Sequence, residues 1–123
     1  LSDVTVSWVT DFDGEPVLGR TKVVRDSRYW IIRADVQIAT MRRDGTAQLD
    51  PTVVRALAIH EIGHGIGLDH AGDTTVIMAP KIRARALTLG DKATAQLLYS
   101  VPPGSVLTRA RATQPVAAAT PAR

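Results

Sequence analysis

His60-Glu61-Ile62-Gly63-His64-Gly65-Ile66-Gly67-Leu68-Asp69-His70 contains all 3 histidines of the chain. His60 and His64 stand four apart, so on a helix both imidazoles leave one face and reach one cation. Glu61 is offset by one position. That sets its carboxylate beside such a cation rather than on it, where it can take a proton from water. Gly67 follows His64 by three residues, and glycine turns a chain sharply at low cost because it tolerates positive φ. The return brings His70 back as a third ligand. Three neutral nitrogens leave a fourth tetrahedral position open to water, which is the ligand set of a catalytic zinc. A lone histidine is more often a surface or core residue, and His-Glu-x-x-His alone can arise by chance. The placed glycine and the third histidine are what favour the metal.

Upstream of this stretch, Asp50-Pro51 is a strong helix start, with Asp as N-cap and Pro at the first helical position. The following residues are apolar around much of the helix circumference, so burial is expected, and Gly65 and Gly67 end the helix. Three strands are expected before it. Residues 4–10 alternate apolar and polar, residues 17–24 form a second run interrupted by Gly19, and residues 29–40 are rich in β-formers. The stretch 10–16 reads as a loop and Asp44-Gly45 as a turn. Downstream, residues 71–86 look irregular. A second helix then opens at Thr88, with Asp91 three residues on as a shorter cousin of the capping box. Residues 1–101 are read as one domain. Residues 102–123, rich in Ala, Thr, Pro and Arg, are read as a disordered tail or linker.

With 123 residues the chain has room for one core. No apolar run is long enough to span a bilayer. The absence of cysteine removes disulfides and thiolate metal sites together. A net charge of +3 includes Arg83, Arg85, Arg109, Arg111 and Arg123. So dispersed an excess reads as a solvated surface, and nucleic-acid binding is not expected. Leu1 opens the sequence, with no leader visible, which reads as a processed or truncated piece of a longer chain.

Residues 60–70 fit HExxHxxGxxH, and on them the chain resembles the metzincins. Within that clan it resembles a matrixin, the group that includes matrix metalloproteinases and smaller bacterial relatives. Val76-Ile77-Met78-Ala79-Pro80 resembles the Met-turn. Residues 87–99 resemble the closing helix, and Phe12-Asp13-Gly14 with Val17-Leu18-Gly19 resembles the loop and edge strand. The resemblance implies an α+β, zincin-like fold: a twisted mixed sheet with an edge strand, an active-site helix, a Met-turn and a C-terminal helix. It implies Met78 as a hydrophobic base under three imidazoles, and Asp91 as an acceptor for the backbone of the Met-turn. It also implies an extended polypeptide substrate, paired by its backbone with the edge strand. Val17, Leu18, Gly19, Ala56 and Pro80 are the implied substrate-binding residues, Ala56 and Pro80 belonging to the pocket beside the metal.

Departures from the family bound the reading. No histidine remains for a second, structural zinc, and Arg20 stands where one of its ligands would fall. Asp11, Asp13 and Glu15 offer oxygens that calcium could use, but an exposed acidic turn is the preferred reading. The family's first strands and first helix have no counterpart, because residues 4–10 align best with its third strand. The expectation is therefore a monomeric, secreted, single-zinc endopeptidase with Glu61 as the general base. The competing class is an inactive zinc-containing module that binds peptides without cleaving them. Retention of Glu61 speaks against it, since such a module has no use for that carboxylate.

Overall fold

The computed structural model describes residues 3–102 and 119–122. It is an α+β arrangement of a mixed sheet and two helices. The strands are β1 (Asp3–Val9), β2 (Gly19–Arg25), β3 (Ile31–Ala39) and β4 (Ala119–Ala122), and the helices are α1 (Pro51–Gly65) and α2 (Leu89–Ser100). The sheet order is β1-β3-β2-β4. β1 runs parallel to β3, with Val6 opposite Val36, while β2 is antiparallel to β3, with Thr21 opposite Val36. Residues 17 and 18, expected to open the second strand, lie just before β2. Residues 29 and 30 belong to the turn between β2 and β3, where Tyr29 takes a φ of 66° and Asp26 Oδ1 accepts from the amides of Arg28 and Trp30.

α1 lies on one face of the sheet against β2 and β3. Its start follows from the sequence: Asp50 accepts from the amide of Thr52 at 2.7 Å, and Pro51 loses no hydrogen bond at the first helical position. Leu57 packs with Val36 and Ile38 of β3 to form the central core, which Leu18, Val53 and Ile82 extend. A second cluster of Phe12, Val17 and Ala39 closes the end of the sheet nearest the 10–18 loop. A third joins Ala56 of α1 to Ile77 and Met78.

β1 is a strand, as its alternation implies, but not a half-buried one. Val4, Val6 and Trp8 stand opposite the buried Ala34, Val36 and Ile38, yet are 51%, 47% and 61% exposed. The physical reason is the placement of α1, which covers β2 and β3 and leaves this outer strip of the same face open.

Of the segment read as a tail, residues 103–118 and Arg123 lie outside the described residues, Arg109 and Arg111 among them. Residues 119–122 form β4, antiparallel to β2, with Gly19 opposite Ala122 and Lys22 opposite Ala119. β2 is thus an inner strand along Gly19–Lys22, and the expected free edge is covered there. Pro121 is compatible with this position, because an outermost strand can spare the amide that proline lacks.

Candidate metal centre

α1 brings His60, Glu61 and His64 to its last turns as the four-residue spacing predicts. It then ends in a Schellman arrangement: Leu68 N donates to Gly63 O at 2.9 Å and Gly67 N to His64 O at 3.0 Å. Gly67 has a φ of 105°, so the turn requires the residue that pays least for it. Beyond it the chain doubles back and His70 meets the other two histidines. The three ligand nitrogens lie within 4.8 Å of one another. No other cluster of three or more potential metal ligands occurs among the described residues.

Hydrogen bonds made away from the centre fix how two of the rings face it. His60 Nδ1 lies 2.7 Å from the Ile77 carbonyl and His64 Nδ1 lies 2.8 Å from the Leu68 carbonyl. A carbonyl only accepts, so each Nδ1 carries the proton and each Nε2 of a neutral ring presents a lone pair. Burial keeps these rings neutral: it holds His60 down at about 4 and lowers His64 and His70 as well.

The Nε2 atoms of His60 and His64 are 3.0 Å apart, and those of His60 and His70 are 3.3 Å apart. Two lone pairs aimed at each other repel, so the His60–His64 approach is no hydrogen bond. A cation between them removes the repulsion. Nitrogens about 2.1 Å from a tetrahedral zinc stand roughly 3.3–3.4 Å from one another. The donor set therefore fits zinc in atom type and protonation, and the His60–His70 separation matches that spacing.

Glu61 is fully buried between α1 and β2. Its Oε2 lies 2.6 Å from Thr21 Oγ1, which is also 2.8 Å from the Glu61 backbone carbonyl. Oε1 has no protein partner. Burial pushes the Glu61 carboxyl up to about 7, against the opposing pull of the Thr21 hydrogen bond. That is the range a group needs if it is to take and release a proton near neutrality.

Met78 lies beneath α1, 3% exposed. Its sulfur occupies the space that a side chain at position 63 would need. The segment carrying it is fastened at both ends. Ala71 N donates to Met78 O at 2.9 Å, and the amides of Ile77 and Met78 donate to the Asp91 carboxylate at 3.0 and 3.3 Å. Asp91 also accepts from the Thr88 amide and hydroxyl, so one buried carboxylate both caps α2 and holds this loop. Burial opposes its charge, but the donors from Ile77, Thr88 and Met78 outweigh that and hold Asp91 below its ordinary value.

The remaining expected residues are distributed differently. Val17 is buried in the Phe12 cluster, and the Leu18 carbonyl is already taken by Ala39 N at 2.9 Å. Gly19 faces Glu61 so closely that a Cβ there would lie 2.6 Å from Oε1. Ala56 is 1% exposed, enclosed by Ile77, Met78 and Ile82, while Pro80 is exposed. In the 10–16 loop, Asp11 accepts from the Asp13 amide, and Glu15 pairs with Arg20, whose guanidinium stacks over Phe12 at 5.0 Å. Thr21 is the neighbour of the site that sequence reasoning missed. Strand alternation puts Gly19, Thr21 and Val23 on one face, but only the register of β2 against α1 brings Thr21 to Glu61.

Neither the search of curated proteins nor that of solved structures finds a match. The matrixin family model (Peptidase M10) matches residues 10–100, a span that holds the three histidines, Glu61, Met78 and Asp91. On that match, over most of its length, the chain belongs to the matrixin family of metallopeptidases.

Proposed function

We propose that this protein is a zinc-dependent endopeptidase that hydrolyses extended polypeptides without a covalent intermediate, with His60, His64 and His70 as metal ligands and Glu61 as general base. The observation that carries the reading is the pairing of three convergent histidine nitrogens with a buried carboxylate from the same helix turn. When bound, zinc supplies a Lewis acid that polarises the scissile carbonyl and makes water easier to deprotonate. Glu61 then has two tasks. It takes the proton of the attacking water on Oε1, the oxygen without a protein partner, and passes that proton to the departing amine. His60 and His64 stay in one tautomer throughout, because the Ile77 and Leu68 carbonyls hold their Nδ1 protons.

The peptide would lie antiparallel to β2 through backbone hydrogen bonds along Gly19–Lys22. The pairing of β4 with that stretch supports this, since it shows that the edge accepts an extended strand in that sense. Val17 and Leu18 would act by shaping the approach to this edge, their side chains being committed to the core. Pro80, exposed after the Met78 turn, would border the pocket beside the metal. Ala56, buried with Ile77 and Met78, would support its wall. The same reading makes the protein a monomer with one zinc, secreted as matrixins typically are.

Replacing Glu61 with Ala tests the mechanism. Casein cleavage should fall by at least a hundredfold while zinc content, measured by mass spectrometry, stays at one per chain. Full activity in Glu61→Ala would remove Glu61 from the mechanism. A wild-type protein that binds zinc and peptides but cleaves nothing would favour the binding-module alternative.

A further inference from the structure

We propose that Thr21 is a positioning residue for Glu61, with Gly19 and Thr21 forming a seat on β2 that fixes the direction of its carboxylate; this rests on the reading of Glu61 as general base. The two residues are successive inward positions of the same strand, and both are buried. Gly19 makes room, since a Cβ there would stand 2.6 Å from Oε1 and 2.9 Å from Cγ of Glu61. Thr21, 1% exposed, holds Oε2 through its hydroxyl at 2.6 Å.

The geometry makes the two carboxylate oxygens unequal. A glutamate side chain has three rotatable bonds, and without an anchor its carboxylate samples several directions. With Oε2 held by a buried hydroxyl, Oε1 is the oxygen left for a reacting water. Hydrogen bonds to charged groups in a site closed to solvent are short and strong, as the 2.6 Å separation indicates. The hydroxyl also lies 2.8 Å from the Glu61 backbone carbonyl, so its one proton faces two acceptors of the same residue, with Oε2 the nearer. Sequence cannot show this contact, because it joins residues forty positions apart. Fixing a group that is already in the site speeds turnover rather than binding, so the effect belongs in kcat.

Thr21→Val keeps the shape and removes the hydroxyl, and Thr21→Ser keeps the hydroxyl. On a fluorogenic peptide, Thr21→Val should lose about ten- to a hundredfold in kcat with KM within about twofold and zinc content unchanged. Thr21→Ser should recover most of that loss. In a Glu61→Ala background, Thr21→Val should lower the residual rate no further. A Thr21→Val enzyme with wild-type kcat overturns the proposal, as does a Thr21→Ser enzyme as impaired as Thr21→Val.

A second measurement needs neither metal nor turnover. In the zinc-free protein, the melting-temperature shifts of Thr21→Val and Glu61→Ala should be less than additive when combined, since either one breaks the same contact. Additive shifts overturn the proposal. If the wild type hydrolyses nothing while the shifts are non-additive, the contact stands and the peptidase reading fails. Should Thr21→Val not fold, Gly19→Ala displaces the same carboxylate by crowding Oε1 and Cγ. It should lower kcat by a comparable factor, and unchanged kcat in that variant overturns the seat.

Discussion

At Gly63 the space left by the missing side chain is filled by Met78. Helix propensity alone favours alanine over glycine in a helix by about 1 kcal/mol. Here the added methyl would collide with the Met78 sulfur inside a packed cluster, and overpacking of that kind costs about 1–3 kcal/mol. Gly63→Ala should therefore lower the melting temperature. In a Met78→Ala background the same substitution should raise it, since the obstacle is gone and propensity remains. Circular-dichroism melts of the four proteins check both signs. The convergence of His60 and His64 was legible in the sequence because helical geometry converts a four-residue interval into a shared face. Gly63 and Thr21 were not, since each owes its role to a partner on another element. For Thr21, alternation gave the face of the strand but not its register against α1.

Between elements, Asp91 is the fastening that matters most. It caps α2 through Thr88 and accepts the Ile77 and Met78 amides, so α2 and the loop whose Ile77 carbonyl meets the His60 ring are held by one carboxylate. Tyr99 adds a second tie at the far end of α2, its hydroxyl donating to the Ile66 carbonyl at 2.7 Å. Asp91→Ala leaves several amides without acceptors and should cost on the order of 2–4 kcal/mol in urea unfolding at neutral pH. The pH dependence has a definite sign. A carboxylate whose folded value is depressed contributes stability that is fully present above its unfolded value of 3.8 and is lost as pH falls through the lower folded value. The gap between wild type and Asp91→Ala should be constant from pH 7 to about 5 and should shrink below 3.8. A gap that narrows between pH 7 and 5 would contradict this role. The cap itself was readable from Thr88 and Asp91, and the resemblance to matrixins supplied the link to the loop.

At the scale of the whole molecule, α1 is the only helix among the described residues laid against the sheet, and its last turns carry two of the three histidines. Metal binding to the folded chain should therefore stabilise the domain as a unit. Zinc at about a hundred times its Kd adds about 2.7 kcal/mol, which for a domain near this size raises Tm by roughly 10–20 °C. A chelator should reverse the shift, and a melt indifferent to zinc would count against a site built from these residues. The outer strip of Val4, Val6 and Trp8 could not be foreseen, because alternation in a strand says which residues share a face and not what lies over it. β4 was equally hidden, since a segment such as Ala119-Thr120-Pro121-Ala122 has little β propensity and gains its conformation from the strand beside it. Its position makes Gly19–Lys22 a contested row of backbone groups. On the proposed binding mode, an incoming peptide would pair there only in molecules whose β4 has lifted away. Apparent peptide affinity is then the intrinsic affinity multiplied by the fraction of the population in that open state.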